Sequence, residues 1–411
     1  MSDRITTSRT FAALSERNFR LYFIGQLISQ SGTWMQSVAQ GWLVLQLTGS
    51  SVDLGIVVAL QFLPMLLLGS YGGLYADRHE KRRILYYTQA AAGVLAFALG
   101  LLVSTHHVTI LGLFILALLL GVVNLFDNPA RQSFVQEMVG KDLIANAVSL
   151  NSVLMNGGRL FGPALAAGLI AGVGIATCFY VNAGSYLAVL VALVMMRSAD
   201  LQPIRTVRRG SGQLRLGFRY AVDTPVIRDV LIVVAIVGTF AYNFTVTFPE
   251  LTRRTFHQSS AAPYSILVAC MGLGAVVGGL YVAWRSRPSV HFLAKIGTAF
   301  GIFGTLVAFA PTLYVAWLAA IPMGACSIMF IATANATLQM NSEESMRGRV
   351  MSLYAIGFLG TTPIGAPLVG AIVAVTNPRV GISLGSLLTI ATCVWLWSTF
   401  RRRIPVGAPA T

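Results

Sequence analysis

The sequence predicts an all-α polytopic membrane protein with twelve spanning helices in two pseudo-symmetric bundles of six. Three observations predict it. Of 411 residues, 55% are apolar and only 10% charged, with a mean hydropathy of +0.72, whereas about a quarter of residues are charged in soluble chains. A soluble core could not cover so much apolar surface, which excludes ordinary cytosolic enzymes, collagen, disordered tails and small disulfide scaffolds. Charge-free intervals recur that are too long for single crossings, and one polar segment, residues 197–228, divides the chain into halves that echo each other. At about 20 residues per crossing, the length allows roughly a dozen helices and leaves no room for a soluble domain.

A helix rises about 1.5 Å per residue against a ~30 Å hydrocarbon core, so interval length sets the number of crossings. Span 1, residues 20–47, is the most amphipathic, carrying Gln26, Gln30, Gln36, Gln40, Ser29, Ser31 and Trp34. Gln26 and Gln30 are one turn apart, as are Gln36 and Gln40, so each pair shares a face. Span 2, residues 53–76, stops at the cationic run that begins at Arg78. Between Arg83 and Asp127 lie 43 residues without Asp, Glu, Lys or Arg, which hold span 3 (84–104) and span 4 (109–128) around a turn at His106 and His107. The run from Leu160 to Met196 divides at Gly172 and Gly174 into span 5 (145–171) and span 6 (176–196). Beyond the linker come span 7 (229–249) and span 8 (262–283). The 47 uncharged residues between Lys295 and Glu343 divide at Pro311 into span 9 (291–310) and span 10 (313–338), and spans 11 (347–375) and 12 (380–400) follow. The expected domains are therefore 1–196, a linker 197–228, and 229–411.

With the amino terminus on the cytoplasmic side, 25 of the 29 Lys and Arg fall inside, seven of them from Arg197 to Arg228. Only Arg253, Arg254 and Arg379 fall outside, and Arg159 lies within a span. This asymmetry predicts that both termini are cytoplasmic, and it accounts for the net charge of +15 without a nucleic-acid partner. The Arg-rich start lacks the short apolar core and cleavage site of a signal peptide. Cys178, Cys270, Cys326 and Cys393 sit singly in apolar stretches, which reads as core packing and neither a metal nor a disulfide framework.

Shifting the second half back by 203 residues lays Ser352-Leu353 on Ser149-Leu150, Gly360 on Gly157, Gly365 on Gly162 and Leu368 on Leu165 without a gap. Gly278-Gly279-Leu280-Tyr281 likewise echoes Gly72-Gly73-Leu74-Tyr75. Repeated six-helix units are a mark of secondary transporters, whose substrate sites lie near the bilayer midplane where the repeats meet.

Span 2 ends in Gly73-Leu74-Tyr75-Ala76-Asp77-Arg78-His79-Glu80-Lys81-Arg82-Arg83. This resembles the loop between helices 2 and 3 of the major facilitator superfamily, with Tyr75 in place of Leu and Glu80 in place of Gly. The resemblance implies a gate of Gly73, Asp77, Arg78, Lys81 and Arg82, in which Asp77 meets the amino-terminal end of helix 11. A carboxylate at the positive end of a helix dipole gains about 0.3–1 kcal/mol. It also implies a contact from Lys81 to an acid at the end of helix 4, which maps to Asp127. In span 5, Gly158-Arg159-Leu160-Phe161-Gly162-Pro163 resembles part of the superfamily's antiporter motif. Small residues four apart also allow close helix contact, and Pro163 bends a helix, so tight packing reads equally from the same residues. Phe126-Asp127-Asn128-Pro129-Ala130-Arg131-Gln132, and Arg347-Gly348-Arg349-Val350-Met351-Ser352-Leu353-Tyr354 with Gly360 and Pro363-Ile364-Gly365, resemble the branch that contains the enterobactin exporter and macrolide efflux proteins.

Arg159 lies about mid-span, where an arginine costs about 2.5–3.5 kcal/mol and must face the interior. It either meets an anionic group of a substrate or is satisfied as a structural tie. In the superfamily helices 1, 4, 7 and 10 line the cavity, which makes Gln26, Gln30, Trp34, Asn124, Asn243 and Asn335 substrate-binding candidates beside Arg159. Their alternative role is hydrogen bonding between helices, about 0.6 kcal/mol each on average. Asp53, Asp127 and Glu250 fall at or near span ends and are the proton-coupling candidates.

No phosphate loop, paired-histidine metal motif or nucleophile turn is present, so neither an enzyme, a metal site nor a cofactor is expected. The resemblance implies a monomeric secondary exporter in the bacterial cytoplasmic (inner) membrane. Its partners are a small amphipathic molecule, siderophore-like or drug-like, and an antiported proton. The alternatives are a lysophospholipid or lipid mover, an uncoupled facilitator, and a transport-dead receptor or scaffold on the same fold.

Overall fold

The computed structural model describes residues 9–202, 213–285 and 288–403. The chain forms two compact units, one of Met1–Leu43 with Leu63–Val207, the other of Val44–Phe62 with Arg208–Thr411. The first is built from α1 (Arg17–Thr48) up to Leu43, α2 (Ser51–Arg78) from Leu63 onward, α3 (Lys81–Ser104), α4 (Ile110–Glu137), α5 (Ile144–Gly172) and α6 (Ile175–Met195). The second takes the end of α1, the start of α2, α7 (Gln213–Asp223), α8 (Pro225–Phe240), α9 (Phe244–Glu250), α10 (Ala262–Arg285), α11 (Val290–Ala308), α12 (Leu313–Met340), α13 (Arg347–Phe358), α14 (Thr362–Val375) and α15 (Pro378–Arg403). Among the described residues, eleven segments are long and apolar enough to cross a membrane. At 32 residues α1 has the length, but its glutamines and serines dilute its apolar character.

Four differences from the expected spans have local causes. α4 runs to Glu137, nine residues past the expected end, because Asp127 and Arg131 pair one turn apart at 3.3 Å and stay within the helix. Span 7 is broken after Phe240: the Asn243 side chain donates to the Thr239 carbonyl at 2.7 Å, while its own carbonyl accepts from Val246 and Thr247 to start α9. Span 11 is broken at 359–361, just before Pro363, which has no N–H for the Leu359 carbonyl; that carbonyl takes the Thr362 N–H at 3.2 Å instead. The linker expected at 197–228 contains α7, whose Gly217 lies against Arg349 of α13; residues 203–212 fall outside the described part.

The repeat read from the sequence reappears as equivalent packing within each unit. Gly72 of α2 faces the Leu125 carbonyl of α4, and Gly278 of α10 faces the Ala325 carbonyl of α12. Gly162 of α5 lies against Ser31 and Trp34 of α1, and Gly365, which the 203-residue shift lays on Gly162, lies against Thr239 of α8. Such close approach is how helices associate in lipid, where apolar surface alone gives no drive. The halves then diverge: the shift lays Pro363 on Leu160 and not on Pro163, and α5 runs unbroken where span 11 does not.

A Cβ at Gly162 would lie 2.5 Å from the Ser31 oxygen and 2.6 Å from the Trp34 Cβ, whereas one at Gly168 meets nothing within 4 Å. Gly162→Ala should therefore destabilise the detergent-solubilised protein by about 1–3 kcal/mol. Gly168→Ala should leave its melting temperature unchanged or raise it, and equal melting of the two variants would refute the contact.

Candidate functional site

In the first unit a polar column runs down α1. Gln26 and Gln30 are buried and meet each other at 3.5 Å, with Gly158 of α5 packed on Gln30. Nearly two turns on, Gln36 accepts from Asn182 of α6 at 2.7 Å, and Ser185 donates to the Asn182 side chain. Between these amides, on the side of α5, the Arg159 guanidinium lies 4.9 Å from the centroid of the Trp34 ring, and both residues are half-buried. A cation on an indole face is worth about 0.5–1 kcal/mol at an exposed site and about 2 kcal/mol or more when desolvated. The helix-5 residues thus divide the work. Gly158 and Gly162 bring α5 against α1, Pro163 is buried in the same face, and Arg159 stands beside Trp34. Asn124 is half-buried on α4.

At the far end of α2, Asp77 is half-buried in the last turn and Arg78 is exposed. A carboxylate is disfavoured at the negative end of its own helix, so nothing within α2 accounts for Asp77. No neighbour lies within 4 Å of a Cβ placed on Gly73. Arg82 reaches the end of α6, donating to the Leu193 and Val194 carbonyls and to Ser198 Oγ, while Arg17 takes the Met195 carbonyl. The expected contact from Lys81 to Asp127 is not formed. Lys81 pairs with Glu137 at 3.1 Å, because α4 continues far enough to carry Glu137 back over the start of α3. Asp127 is instead the centre of a buried network: Arg131 lies at 3.3 Å, Thr88 Oγ1 donates at 2.9 Å and Gln89 Nε2 at 2.7 Å.

In the second unit, Asn243 is buried at the α8–α9 break beside a cavity of about 10 Å³, room for roughly one water. Thr247 and Ser386 also line it. The break is braced by rings, with Tyr242 4.9 Å from Phe358 and 5.3 Å from Phe300, and its hydroxyl donating to the Ser327 carbonyl. Asn335 accepts from Gln339 at 2.6 Å, one turn on. Glu250 is fully buried 3.5 Å from Arg253, whose guanidinium also holds the Leu45 and Gly49 carbonyls. Asp53 sits in the first turn of α2, where an acid complements the helix dipole.

Comparison with known proteins gives this geometry its context. Residues 8–406 match the family described as transmembrane secretion effector. The chain belongs to this family of major facilitator transporters. It is not an enzyme. It is 24% identical over 356 residues to the staphyloferrin A transporter of Staphylococcus aureus, covering 85% of this chain and 88% of that one. Over 405 residues it is 24% identical to the enterobactin exporter EntS of Citrobacter koseri, covering 95% of each. It is also 24% identical over 364 residues to the multidrug efflux pump Tap of Mycolicibacterium fortuitum, covering 85% and 88%. In fold it is similar to a bacterial homolog of the human lysosomal transporter Spinster, with a TM-score of 0.67, 17% identity, and 94% and 95% of the chains covered. A second similar fold is the nucleoside transporter NupG, with a TM-score of 0.73, 12% identity, and 93% and 99% covered.

Three residues that this transporter uses in its polar core escape a reading of the sequence. Glu137 lies beyond the expected end of span 4, and Asp229, buried in the first turns of α8, lies at an expected span boundary. Asn182 is the one with a legible signal, an amide in mid-span. The Lys81–Glu137 pair, with each side chain 11% exposed, yields a test. Lys81→Met alone strands a buried carboxylate and should cost about 3 kcal/mol, whereas adding Glu137→Met should recover most of the loss. A thermal-unfolding cycle in which the double variant melts no higher than Lys81→Met would remove the pair from the account.

Proposed function

We propose that the protein exports a small amphipathic molecule bearing an anionic group and a flat apolar part, by rocking of its two halves in a bacterial cytoplasmic membrane. The observation that carries this reading is the half-buried Arg159 guanidinium held over Trp34 in an otherwise uncharged stretch of α5. An intramembrane arginine is costly, and its position beside an indole offers charge and a stacking face together. Gln26, Gln30 and Asn124 on the same unit, and Asn243 and Asn335 on the other, are the further substrate candidates. The siderophore and multidrug names of the relatives support the substrate class. The excess of Lys and Arg on one side supports cytoplasmic termini.

The coupling ion in this reading is an antiported proton, and Asp127 takes it. Of the three carboxylates expected from the sequence, it alone combines burial, an arginine partner and two neutral donors within a spanning helix. Glu250, fully buried beside Arg253 inside the span Pro225–Thr255, and Asp53, in the first turn of α2, are the other candidates. Asp77, Arg78, Lys81 and Arg82 form the cytoplasmic lock of the cycle, and the unit acts as a monomer.

Proteoliposomes with an imposed pH gradient, acidic inside, test this directly. Wild type should accumulate siderophore-like or drug-like anions with the gradient. Asp127→Asn should lose gradient-driven accumulation while keeping exchange of substrate across a membrane without a gradient. Asp77→Asn should slow turnover about fivefold with binding intact, and Arg159→Ala should weaken anion binding about tenfold while sparing cations. Accumulation by Asp127→Asn at the wild-type level would exclude Asp127 as the proton site, and equal losses for anions and cations would make Arg159 structural.

A further inference from the structure

Where α10 ends and α11 begins, cations and aromatic rings of the second unit interleave. The Arg285 guanidinium lies 4.3 Å from the centroid of Phe292, and Lys295 Nζ lies 5.4 Å from that of Trp397. His291, one turn before Lys295, stands edge-on to Trp397 at 6.1 Å and to Phe400 at 5.1 Å. Beside these rings a groove of about 430 Å³ is lined by Val394, Trp397, Ser398 and Arg401. Arg401 follows Trp397 by one helical turn, so Trp397 is flanked by Lys295 from α11 and by Arg401 from its own helix. Val394, at the other end of the groove, is 52% exposed, and Trp284, at the end of α10, is 79% exposed.

The charges of this region have no counterpart on their own elements. None of α10, α11 and α15 contains an Asp or Glu, and none occurs anywhere from Ser345 to Thr411. Exposed tryptophan and tyrosine rings sit at the headgroup level of a bilayer, and basic pockets between spanning helices at that level suit anionic headgroups. We propose that this groove binds an anionic phospholipid. Its phosphate sits between Lys295 and Arg401, and an acyl chain runs along Val394 and the Trp397 ring. The site is separate from the Arg159–Trp34 pair and does not depend on what the protein transports.

Delipidated protein in a non-ionic detergent is titrated with dioleoylphosphatidylglycerol or dioleoylphosphatidylcholine, with bound lipid counted by native mass spectrometry and melting temperature followed in parallel. Wild type should bind and be stabilised by the glycerol lipid in preference to the choline lipid. Lys295→Gln and Arg401→Gln should each weaken that binding about fivefold, Lys295→Arg should retain it, and Arg219→Gln, at an exposed α7 position paired with Asp223, should leave it unchanged. The proposal is overturned if wild type does not discriminate between the two lipids, if the groove variants bind the glycerol lipid like wild type, or if inorganic phosphate alone gives the same stabilisation.

Discussion

Helix ends decide much of this structure, because a carbonyl left unpaired in a bilayer costs several kcal/mol. The arginines serve that need on every side. Arg82 and Arg17 cover the last carbonyls of α6, Arg253 covers those of α1, and Arg254 those of α14, reaching Val373 at 2.8 Å and Thr376 at 3.2 Å. Arg379 takes the Ala310 carbonyl just past α11. The three arginines that the sequence predicts outside, Arg253, Arg254 and Arg379, are thus all helix caps. A cation there complements the negative end of each helix dipole.

The same requirement governs the two broken spans. At Asn243 a side-chain amide supplies the donor that lets the chain leave one helix and enter the next, and at Pro363 the missing N–H forces the change. Both breaks lie in the second unit and are braced together, since Tyr242 at the first packs its ring on Phe358 beside the second. The first unit answers with continuous helices and buries its polar groups as amide pairs and ion pairs instead. The packing glycines recur in both halves, while different local chemistry leaves α5 continuous in one and breaks two spans of the other.

Much of the candidate site was legible in the residues themselves. Arg159 stood out because a charge is rare in apolar stretches, and it meets Trp34 of the amphipathic span 1 in space. Gly158 and Gly162 announced the close α1–α5 contact by their spacing, and it forms. The acid partner of Lys81 was misread as Asp127, since an Asp after a long charge-free run looks like the end of a span. Pairing with Arg131 and the donors from α3 make that position an interior one, and so move the helix end to Glu137.

Sequence alone determined the membrane class, the number of spans, the repeat and the rare charged residues within spans, because hydropathy and period are local properties that the bilayer reads directly. The tertiary structure decided which carboxylate meets which cation, where two spans break, and that a short segment, Val44–Phe62, packs with the second unit through Ser51 on the Gly370 carbonyl and Gly55 against Ala366. The Lys81–Glu137 pair and the packing of that segment depend on partners 56 and 319 residues apart along the chain. A buried polar group takes whichever partner the packing brings within hydrogen-bond reach, and no local pattern encodes that choice.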